Sequence, residues 1–293
     1  MWRTRRTAFA GALLLAAPLL AGCGLPGRAN ADDGRPIVVT SFYALQYIAE
    51  RIAGDHARVT NLTHPGQEPH DVELTVRQTA ELSDADVVVY EKGFQAAVDQ
   101  AVDQNGPPHV VDAARAGRVR GDDPHFWLDP TRLSAVAGAV ESQLAAADPR
   151  HAADYAGNLA ALQRDLTRLD ASFHRGLAHC RVTTIVVSHD AFGYLGRRYH
   201  LRVVGINGLS PDAEPSPAHL RGLQDLIRRD HIRAVFSERL ASRALADSLA
   251  GDLHVRAEVL DPVEGLSQAT AQEDYLSLMR RNLQTLEEAN QCS

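Results

Sequence analysis

A long amphipathic helix, predicted between residues 148 and 179, is the feature that most constrains the fold of this chain. Asp148 suits the N-cap, and Pro149 suits the first helical position. At about 1.5 Å per residue the helix would be roughly 45 Å long, more than the core of one small domain needs. We interpret it as a rigid strut that joins two lobes; the alternative is an ordinary long surface helix of one domain. Its apolar side chains recur every three or four residues and form a single stripe: Tyr155, Leu159, Leu162, Leu166, Leu169, Phe173 and Leu177.

The segments on either side of this helix show the same alternation of strands and helices. The predicted strands are Ile37–Thr40, Arg58–Leu62, Val87–Tyr90 and Val110–Val111 in the first half, and Thr184–Ser188, Val203–Ile206, Ala234–Phe236 and Val255–Leu260 in the second. The other predicted helices are Tyr43–Ile52, Val76–Leu82, Phe94–Gln104, Ala191–Tyr199, Pro217–Asp230, Ala241–Leu249 and Ala271–Asn290.

Strands that alternate with helices favour parallel sheets covered on both faces. The predicted fold class is therefore α/β, with two lobes that each hold a four-stranded parallel sheet flanked by helices. The N-terminal lobe would span residues 36–147 and the C-terminal lobe residues 180–293, and the long rigid helix 148–179 would join them.

Residues 1–22 carry the pattern of an export signal, with three arginines followed by a short apolar run. The apolar run is too short to span a bilayer, so no transmembrane helix is expected there. Its ending, Leu20-Ala21-Gly22-Cys23, resembles the lipobox of bacterial lipoproteins, which implies that Cys23 becomes the lipid-bearing N-terminus after cleavage. A plain secretory signal with an incidental cysteine is the alternative. Residues 23–35 are predicted to form a flexible tether.

Charge and cysteine content narrow the class of partner. The whole chain has 30 basic and 37 acidic side chains; loss of residues 1–22 removes three arginines and no acid, which leaves a net charge of −10. An acidic surface argues against nucleic acid as a partner and is compatible with a cation ligand. With Cys23 lipidated, Cys180 and Cys292 remain in an oxidising compartment. One disulfide between them is the simplest interpretation, and two free thiols are the alternative.

Histidines and carboxylates follow several of the predicted strands. Open α/β sheets bind ligands at the carboxyl ends of their strands, so the residues just after each strand are the candidates for a site. Three histidines and one aspartate, contributed by both halves, stand there: His70, His125, His189 and Asp261. Imidazole and carboxylate in a shared cleft are typical of a first-row metal site. His64 stands at the same edge as a candidate accessory ligand, although any one of these histidines could simply cap a helix or be exposed.

Several motifs stand in order around the long helix: Gly66–His70, Asp71–Thr75, His125–Pro130, Ser188–Leu195, Glu214–Pro217, Phe236–Glu238 and Leu260–Pro262. With these motifs essentially the whole mature chain resembles the zinc- and manganese-binding solute-binding lipoproteins of bacterial ABC importers, of the cluster 9 or cluster A-I type. The resemblance implies two lobes that hinge little, a metal between them and delivery to a membrane permease. It implies the ligands His70, His125, His189 and Asp261. Glu214 and Glu238 resemble the acids of the lobe interface rather than ligands.

The ligand set also bears on the choice of metal. Three imidazoles and one carboxylate favour zinc, whereas manganese favours more oxygen ligands. Manganese-type members of the family tend to carry an acid where His189 stands. Many zinc-specific members carry a long His-rich loop before the second ligand. The corresponding loop here, residues 113–122, is short and contains no histidine. We expect one Zn²⁺ ion, with Mn²⁺ as the alternative.

We therefore expect a monomeric binding protein, anchored through the lipid on Cys23 to the outer face of the cytoplasmic membrane, that captures Zn²⁺ for an ABC permease. A metalloenzyme is one alternative, because Glu68 or Glu238 could serve as a base. Catalytic zinc keeps an open position for water, which Asp261 would close, and no His-Glu-x-x-His helix is present, so no enzyme is expected. A surface adhesin or chelator on the same fold is the other alternative, and the sequence barely separates it from import.

Overall fold

Each half of the chain builds a four-stranded parallel sheet. The strands are β1 (Ile37–Thr40), β2 (Arg58–Asn61), β3 (Val87–Tyr90) and β4 (His109–Asp112), then β5 (Thr184–Val187), β6 (Arg202–Gly205), β7 (Ala234–Ser237) and β8 (Arg256–Val259). Their spatial order is β2-β1-β3-β4 in the first sheet and β6-β5-β7-β8 in the second. The strand order therefore reverses between β1 and β3 and between β5 and β7, which is where open α/β sheets hold their ligands. The predicted fold class is confirmed.

The structure is a computed structural model that describes Trp2 and residues 34–293. The expected export signal, the lipobox with Cys23 and the tether up to residue 33 lie outside these residues, apart from Trp2. Within the described part of the chain, no helix has the length and apolar character needed to cross a membrane.

Ten α-helices are seen in the described residues. They are α1 (Tyr43–Ala53), α2 (Val76–Ser83), α3 (Ala96–Asn105), α4 (Ala113–Ala116), α5 (Pro130–Ala147), α6 (Ala152–Gly176), α7 (Gly193–Tyr199), α8 (Pro217–Arg229), α9 (Ala244–Leu253) and α10 (Tyr275–Ala289). Three short 3₁₀ turns, Phe126–Leu128, Pro149–His151 and Gln268–Thr270, add to them.

Helix α6 is the long helix expected from the sequence, but it is shorter than residues 148–179. The chain first forms the 3₁₀ turn Pro149–His151, so the N-cap of α6 is His151 and not Asp148. Its carboxylate instead accepts hydrogen bonds from His151 Nδ1 (2.5 Å) and the Tyr155 hydroxyl (3.2 Å). The predicted apolar stripe does face the interior, where six of its side chains are buried: Tyr155, Leu162, Leu166, Leu169, Phe173 and, just after the helix, Leu177.

Helix α5 was not predicted, and it is the main neighbour of α6. The two helices pack against each other across the short connection that joins them, and α1 and α10 also pack on α6. The Asp129 carboxylate accepts a hydrogen bond from the N–H of Thr131 at the start of α5, and Pro130 occupies its first turn. Helix α6 therefore connects the two halves and packs at the same time against α5, α1 and α10.

One hydrophobic core runs through both halves. Alternate residues of a strand point to opposite faces of its sheet. In the first sheet Val38 belongs to the shared core, whereas Val39 belongs to a smaller outer cluster. In the second sheet Val187 belongs to the shared core and Val186 to a second outer cluster. Each sheet is thus buried on both faces, as parallel sheets require.

A disulfide joins Cys180, just before β5, to Cys292 at the C-terminal end of the chain. This confirms the pairing expected from the cysteine count. The bridge closes a separation of 112 residues, so it ties the segment after α10 to the start of the second sheet.

We expect Asp170→Asn to destabilise the protein in a pH-dependent way. Asp170 on α6 accepts hydrogen bonds from Arg198 Nε (2.9 Å) and Nη2 (2.7 Å) and from the Tyr199 hydroxyl (3.0 Å). Burial opposes ionisation, but these partners outweigh it and hold the pKa of Asp170 below its usual value. The substitution should lower the free energy of unfolding by about 1–3 kcal/mol at neutral pH. Because the folded-state pKa is depressed, this difference should be complete above about pH 4 and should vanish as the pH falls through the folded pKa.

Urea unfolding of the parent and the variant between about pH 3 and about pH 7 measures this difference. Asp225→Asn is the matched control, because Asp225 faces Arg228 with side chains that are 80% and 60% exposed. Its effect should stay within about 0.5 kcal/mol. Equal losses in the two variants would show that the Asp170 pair contributes no more than a surface pair.

Candidate metal centre

Three histidines and one glutamate converge between the carboxyl ends of the two sheets. The side chains of His70, His125, His189 and Glu264 each offer one ligand atom, and these four atoms all lie within 4.8 Å of one another. His125, His189 and Glu264 are buried, and the side chain of His70 is 11% exposed. His70 follows β2 and His125 follows β4, whereas His189 follows β5 and Glu264 follows β8.

Four of the six separations between these atoms are close to those of a tetrahedral site. Glu264 Oε1 lies 3.0 Å from His125 Nε2, 3.5 Å from His189 Nε2 and 3.6 Å from His70 Nε2. The Nε2 atoms of His125 and His189 are 3.2 Å apart. Zinc bonds to nitrogen and oxygen of about 2.0–2.1 Å place the ligand atoms of a regular tetrahedron about 3.3–3.4 Å apart. The four side chains are thus spaced for one small cation.

Two of these ligand atoms are buried without a hydrogen-bond partner among the described residues. They are His70 Nε2 and Glu264 Oε1. Buried polar atoms are nearly always hydrogen-bonded, so an orphaned pair at the centre of a cluster needs an explanation. A cation bound at the centre supplies one.

Carboxylates behind two of the histidines set their orientation. Asp123 Oδ1 lies 3.0 Å from His125 Nδ1, and Glu238 Oε1 lies 2.6 Å from His189 Nδ1. An imidazole that donates from Nδ1 to a carboxylate keeps the Nε2 lone pair free for a metal. Glu238 reaches His189 because it directly follows β7, and β5 and β7 are neighbouring parallel strands.

The same carboxylates govern the protonation of the histidines. Burial opposes protonation of His189, but the carboxylates of Glu238 and Glu264 outweigh it and raise the pKa of His189 to about 10. Burial also opposes protonation of His125, and Asp123 and Glu264 raise the pKa of His125 above its usual value. Burial would favour the neutral form of Glu264, yet the surrounding histidines hold its pKa well below the usual range. In the ion-free site, protons therefore supply the positive charge.

A second glutamate lies beside this site. Glu68 Oε1 accepts a hydrogen bond from the N–H of His70 (3.1 Å), and Glu68 Oε2 is buried without a partner among the described residues. Burial, together with the negative charge of Glu264, raises the pKa of Glu68 to about 8. Glu68 therefore adds no full negative charge to the site at neutral pH.

The structure does not bring Asp261 into the cluster. Asp261 is the fourth ligand expected from the sequence, but Glu264 is the acid that lies beside the three histidines. Asp261 Oδ1 accepts a hydrogen bond from the N–H of Val263 (2.8 Å), and Asp261 Oδ2 lies 3.4 Å from Arg239 Nε. The backbone of Val263, at φ 57°, turns the chain between the two acids, so that the second acid and not the first meets the histidines.

The other acids and the histidine expected at this edge lie outside the group of four ligand atoms. His64 is exposed and lies outside the cluster, and Glu214 is exposed, with no hydrogen bond or ion pair among the described residues. Glu238 is buried and contacts the ring of His189. The sequence pattern favours Asp261, the first acid after β8, over Glu264. The Pro262 turn between the two acids was the only sign that a later acid could point into the cleft.

The sequence of this chain was compared with models of known protein families. Residues 38–289 match the family of the zinc-uptake complex component A, periplasmic (ZnuA). The chain belongs to the ZnuA family. This confirms the resemblance that the sequence motifs indicated.

Individual members of the ZnuA family give the same result. The chain is 33% identical over 280 residues to the zinc-binding lipoprotein AdcA of Streptococcus pneumoniae serotype 4, a match that covers 87% of this chain and 56% of AdcA. It is 29% identical over 298 residues to the high-affinity zinc uptake system protein ZnuA of Bacillus subtilis, covering 92% and 93% of the two chains. The crystal structure of the Zn(II)-bound ZnuA-like domain of S. pneumoniae AdcA matches with a TM-score of 0.77 at 33% identity, over 88% of this chain and 99% of that one. This chain spans about half the length of the AdcA relatives it matches.

We expect Glu238→Gln to lower the pKa of His189 in the metal-free protein. Glutamine can still accept the hydrogen bond but carries no charge to stabilise the imidazolium, so the pKa should fall from about 10 by about 1–3. An NMR pH titration of the imidazole signals after metal removal measures this pKa. Glu214→Gln removes an exposed acid of the same type and should leave the His189 titration unchanged. The expectation fails if the two variants titrate alike.

Proposed function

We propose that this chain is an extracytoplasmic solute-binding protein that captures one Zn²⁺ ion and delivers it to an ABC-type metal import permease. The observation that carries the proposal is the convergence of His70, His125, His189 and Glu264 at separations suited to a tetrahedral ion. Membership of the ZnuA family supports zinc as the cargo and uptake as the process.

The donor atoms favour zinc over manganese. Three of the four ligand atoms are imidazole nitrogens, which suit Zn²⁺, whereas Mn²⁺ prefers carboxylate, carbonyl and water oxygens. The carboxylates of Asp123 and Glu238 hold two of the imidazoles in the tautomer that binds a metal. Manganese is the alternative ion, and the binding experiment compares its affinity with that of zinc.

The geometry favours binding over catalysis. A catalytic zinc site has three protein ligands and an open position at which water is activated. Here a fourth protein ligand, Glu264, fills that position, and it is only 1% exposed. Glu68 and Glu238, the two candidate bases, instead bind the N–H of His70 and the ring of His189. We therefore propose no enzymatic activity.

Anchoring and delivery follow from the same proposal. Two ligands come from the loops of each sheet, so a small separation of the sheet edges would break two of the four metal bonds. A permease that grips both halves could release the ion in this way. We propose that the protein is a monomer, held by the lipid on Cys23 at the outer face of the cytoplasmic membrane, where it can reach such a permease.

Zinc titration of ligand variants tests this proposal. We expect the detergent-purified full-length protein to bind one zinc ion and to prefer it to manganese. His189→Ala should reduce zinc affinity by more than the 10–100-fold typical for loss of an outer-shell partner. Affinity of the parent should also fall as the pH falls from about 7.5 to about 5.5, because protons compete for the Nε2 atoms of His125 and His189. Competition with a chromophoric chelator measures these affinities.

His64→Ala is the matched control for the histidine variant. His64 belongs to the same loop as His70 but is exposed and outside the cluster, so this variant should bind zinc like the parent. Two results would overturn the proposed site: a His189→Ala protein that binds zinc as tightly as the parent, or stoichiometric manganese that zinc does not displace.

A further inference from the structure

The turn that carries Glu264 contains a backbone conformation that most side chains avoid. Val263, immediately before Glu264, is fully buried and has a φ of 57°. This left-handed conformation is common for glycine, but a β-branched residue in it is an outlier. Such conformations persist only where the surroundings over-determine them. The contacts around Val263 therefore need to be strong enough to hold it there.

Hydrogen bonds fix the two residues before Val263. The side-chain amide of Asn282 accepts a bond from the N–H of Asp261 (2.9 Å) and donates one to its C=O (2.6 Å). The indole Nε1 of Trp127 donates a bond to the C=O of Pro262 (2.7 Å). Asn282 lies on α10, and Trp127 lies in the 3₁₀ turn next to His125. Asp261 and Pro262 are therefore anchored to both halves of the molecule.

The peptide of Val263 itself is held by a side chain. Its N–H donates to Asp261 Oδ1 (2.8 Å), the one hydrogen bond that it makes among the described residues. Asp261 is 6% exposed, and its other oxygen faces Arg239 at 3.4 Å. On the far side of the turn, the N–H of Tyr43 donates to the C=O of Glu264 (3.2 Å). Asp261 and Trp127 therefore hold the two ends of the peptide group that precedes the Cα of Val263, its N–H and the C=O of Pro262.

We propose that Asp261 is a positioning residue: its carboxylate locks Val263 in the left-handed conformation, and that conformation directs the Glu264 carboxylate to the three histidines. The inference rests on the zinc-binding function proposed above. A change of φ at Val263 toward the ordinary negative region would rotate the following residue, so Glu264 would no longer meet His125 and His189. Asp261 thus acts on the metal through the backbone and touches no ligand atom.

Two substitutions separate the role of Asp261 as a hydrogen-bond acceptor for the N–H of Val263 from the role of its negative charge. Asp261→Asn removes the charge but keeps an oxygen at the same distance from the N–H of Val263, so zinc affinity should stay within about 3-fold of the parent. Asp261→Glu keeps the charge, but its longer side chain does not reproduce a hydrogen bond to the second following residue. Asp261→Glu and Asp261→Ala should each weaken zinc binding by about 10–100-fold, the range for loss of a group that orients a ligand.

Glycine at position 263 should restore part of the zinc affinity that the loss of the Asp261 carboxylate removes. Glycine adopts positive φ as readily as negative φ, so the turn no longer depends on the carboxylate. The double variant Asp261→Ala with Val263→Gly should bind zinc about 10-fold more tightly than Asp261→Ala alone, an interaction that a double-mutant cycle measures. A merely structural role for Asp261 predicts no such recovery, because the glycine variant also loses a buried side chain.

All titrations use the detergent-purified full-length protein, the same chelator competition and near-UV circular dichroism to verify folding. Three results would each overturn the positioning role. In the first, Asp261→Ala binds zinc as tightly as the parent; in the second, Asp261→Asn binds zinc as weakly as Asp261→Glu. In the third, the double variant binds zinc no more tightly than Asp261→Ala alone. If Asp261→Ala does not fold, the pair Asp261→Asn and Asp261→Glu still decides the question. Failure of the parent to bind zinc, or a normal His189→Ala protein, would instead overturn the proposed function.

Discussion

The repulsion between lone pairs that face one another in a buried space is the constraint on which this structure depends. The Nε2 atoms of His125 and His189 are 3.2 Å apart, and an oxygen of Glu264 lies against both. Without a positive charge at the centre these atoms would drive each other apart. Protons can supply that charge, as the raised pKa values of both histidines indicate, and a divalent cation supplies it with directed bonds.

The acids around the centre allow a dication to be buried. One ionised ligand, Glu264, leaves a single positive charge on a complex with three neutral imidazoles. Asp123 and Glu238, which accept from the far nitrogens of His125 and His189, place two further negative charges close by. Arg197, at 3.2 Å from Asp123, offsets one of them. A buried charge is tolerated only when it is paired in this way, so the carboxylates behind the ligands contribute to binding although they touch no ion.

The sequence was sufficient for the fold class and for the three histidines, because strand–helix alternation and position after a strand depend on local patterns. It was not sufficient for the fourth member of the cluster. Asp261 and Glu264 both follow β8, and the choice between them depends on the φ of Val263, which no propensity of a β-branched residue would predict. Helix α5 was missed for a related reason: alanines dilute its apolar stripe, and only tertiary packing against α6 shows which face is buried.

The shared core gives the ion an influence beyond its own ligands. Because the core is continuous through both sheets and the cluster draws on loops from each, the two halves have no obvious boundary along which to unfold separately. A ligand that binds only the native state stabilises it by about 2.7 kcal/mol at a free concentration of 100 times its dissociation constant. Occupancy of the proposed site would then lengthen the lifetime of the entire chain against proteases, and the abundance of the protein would follow the supply of the ion that it binds.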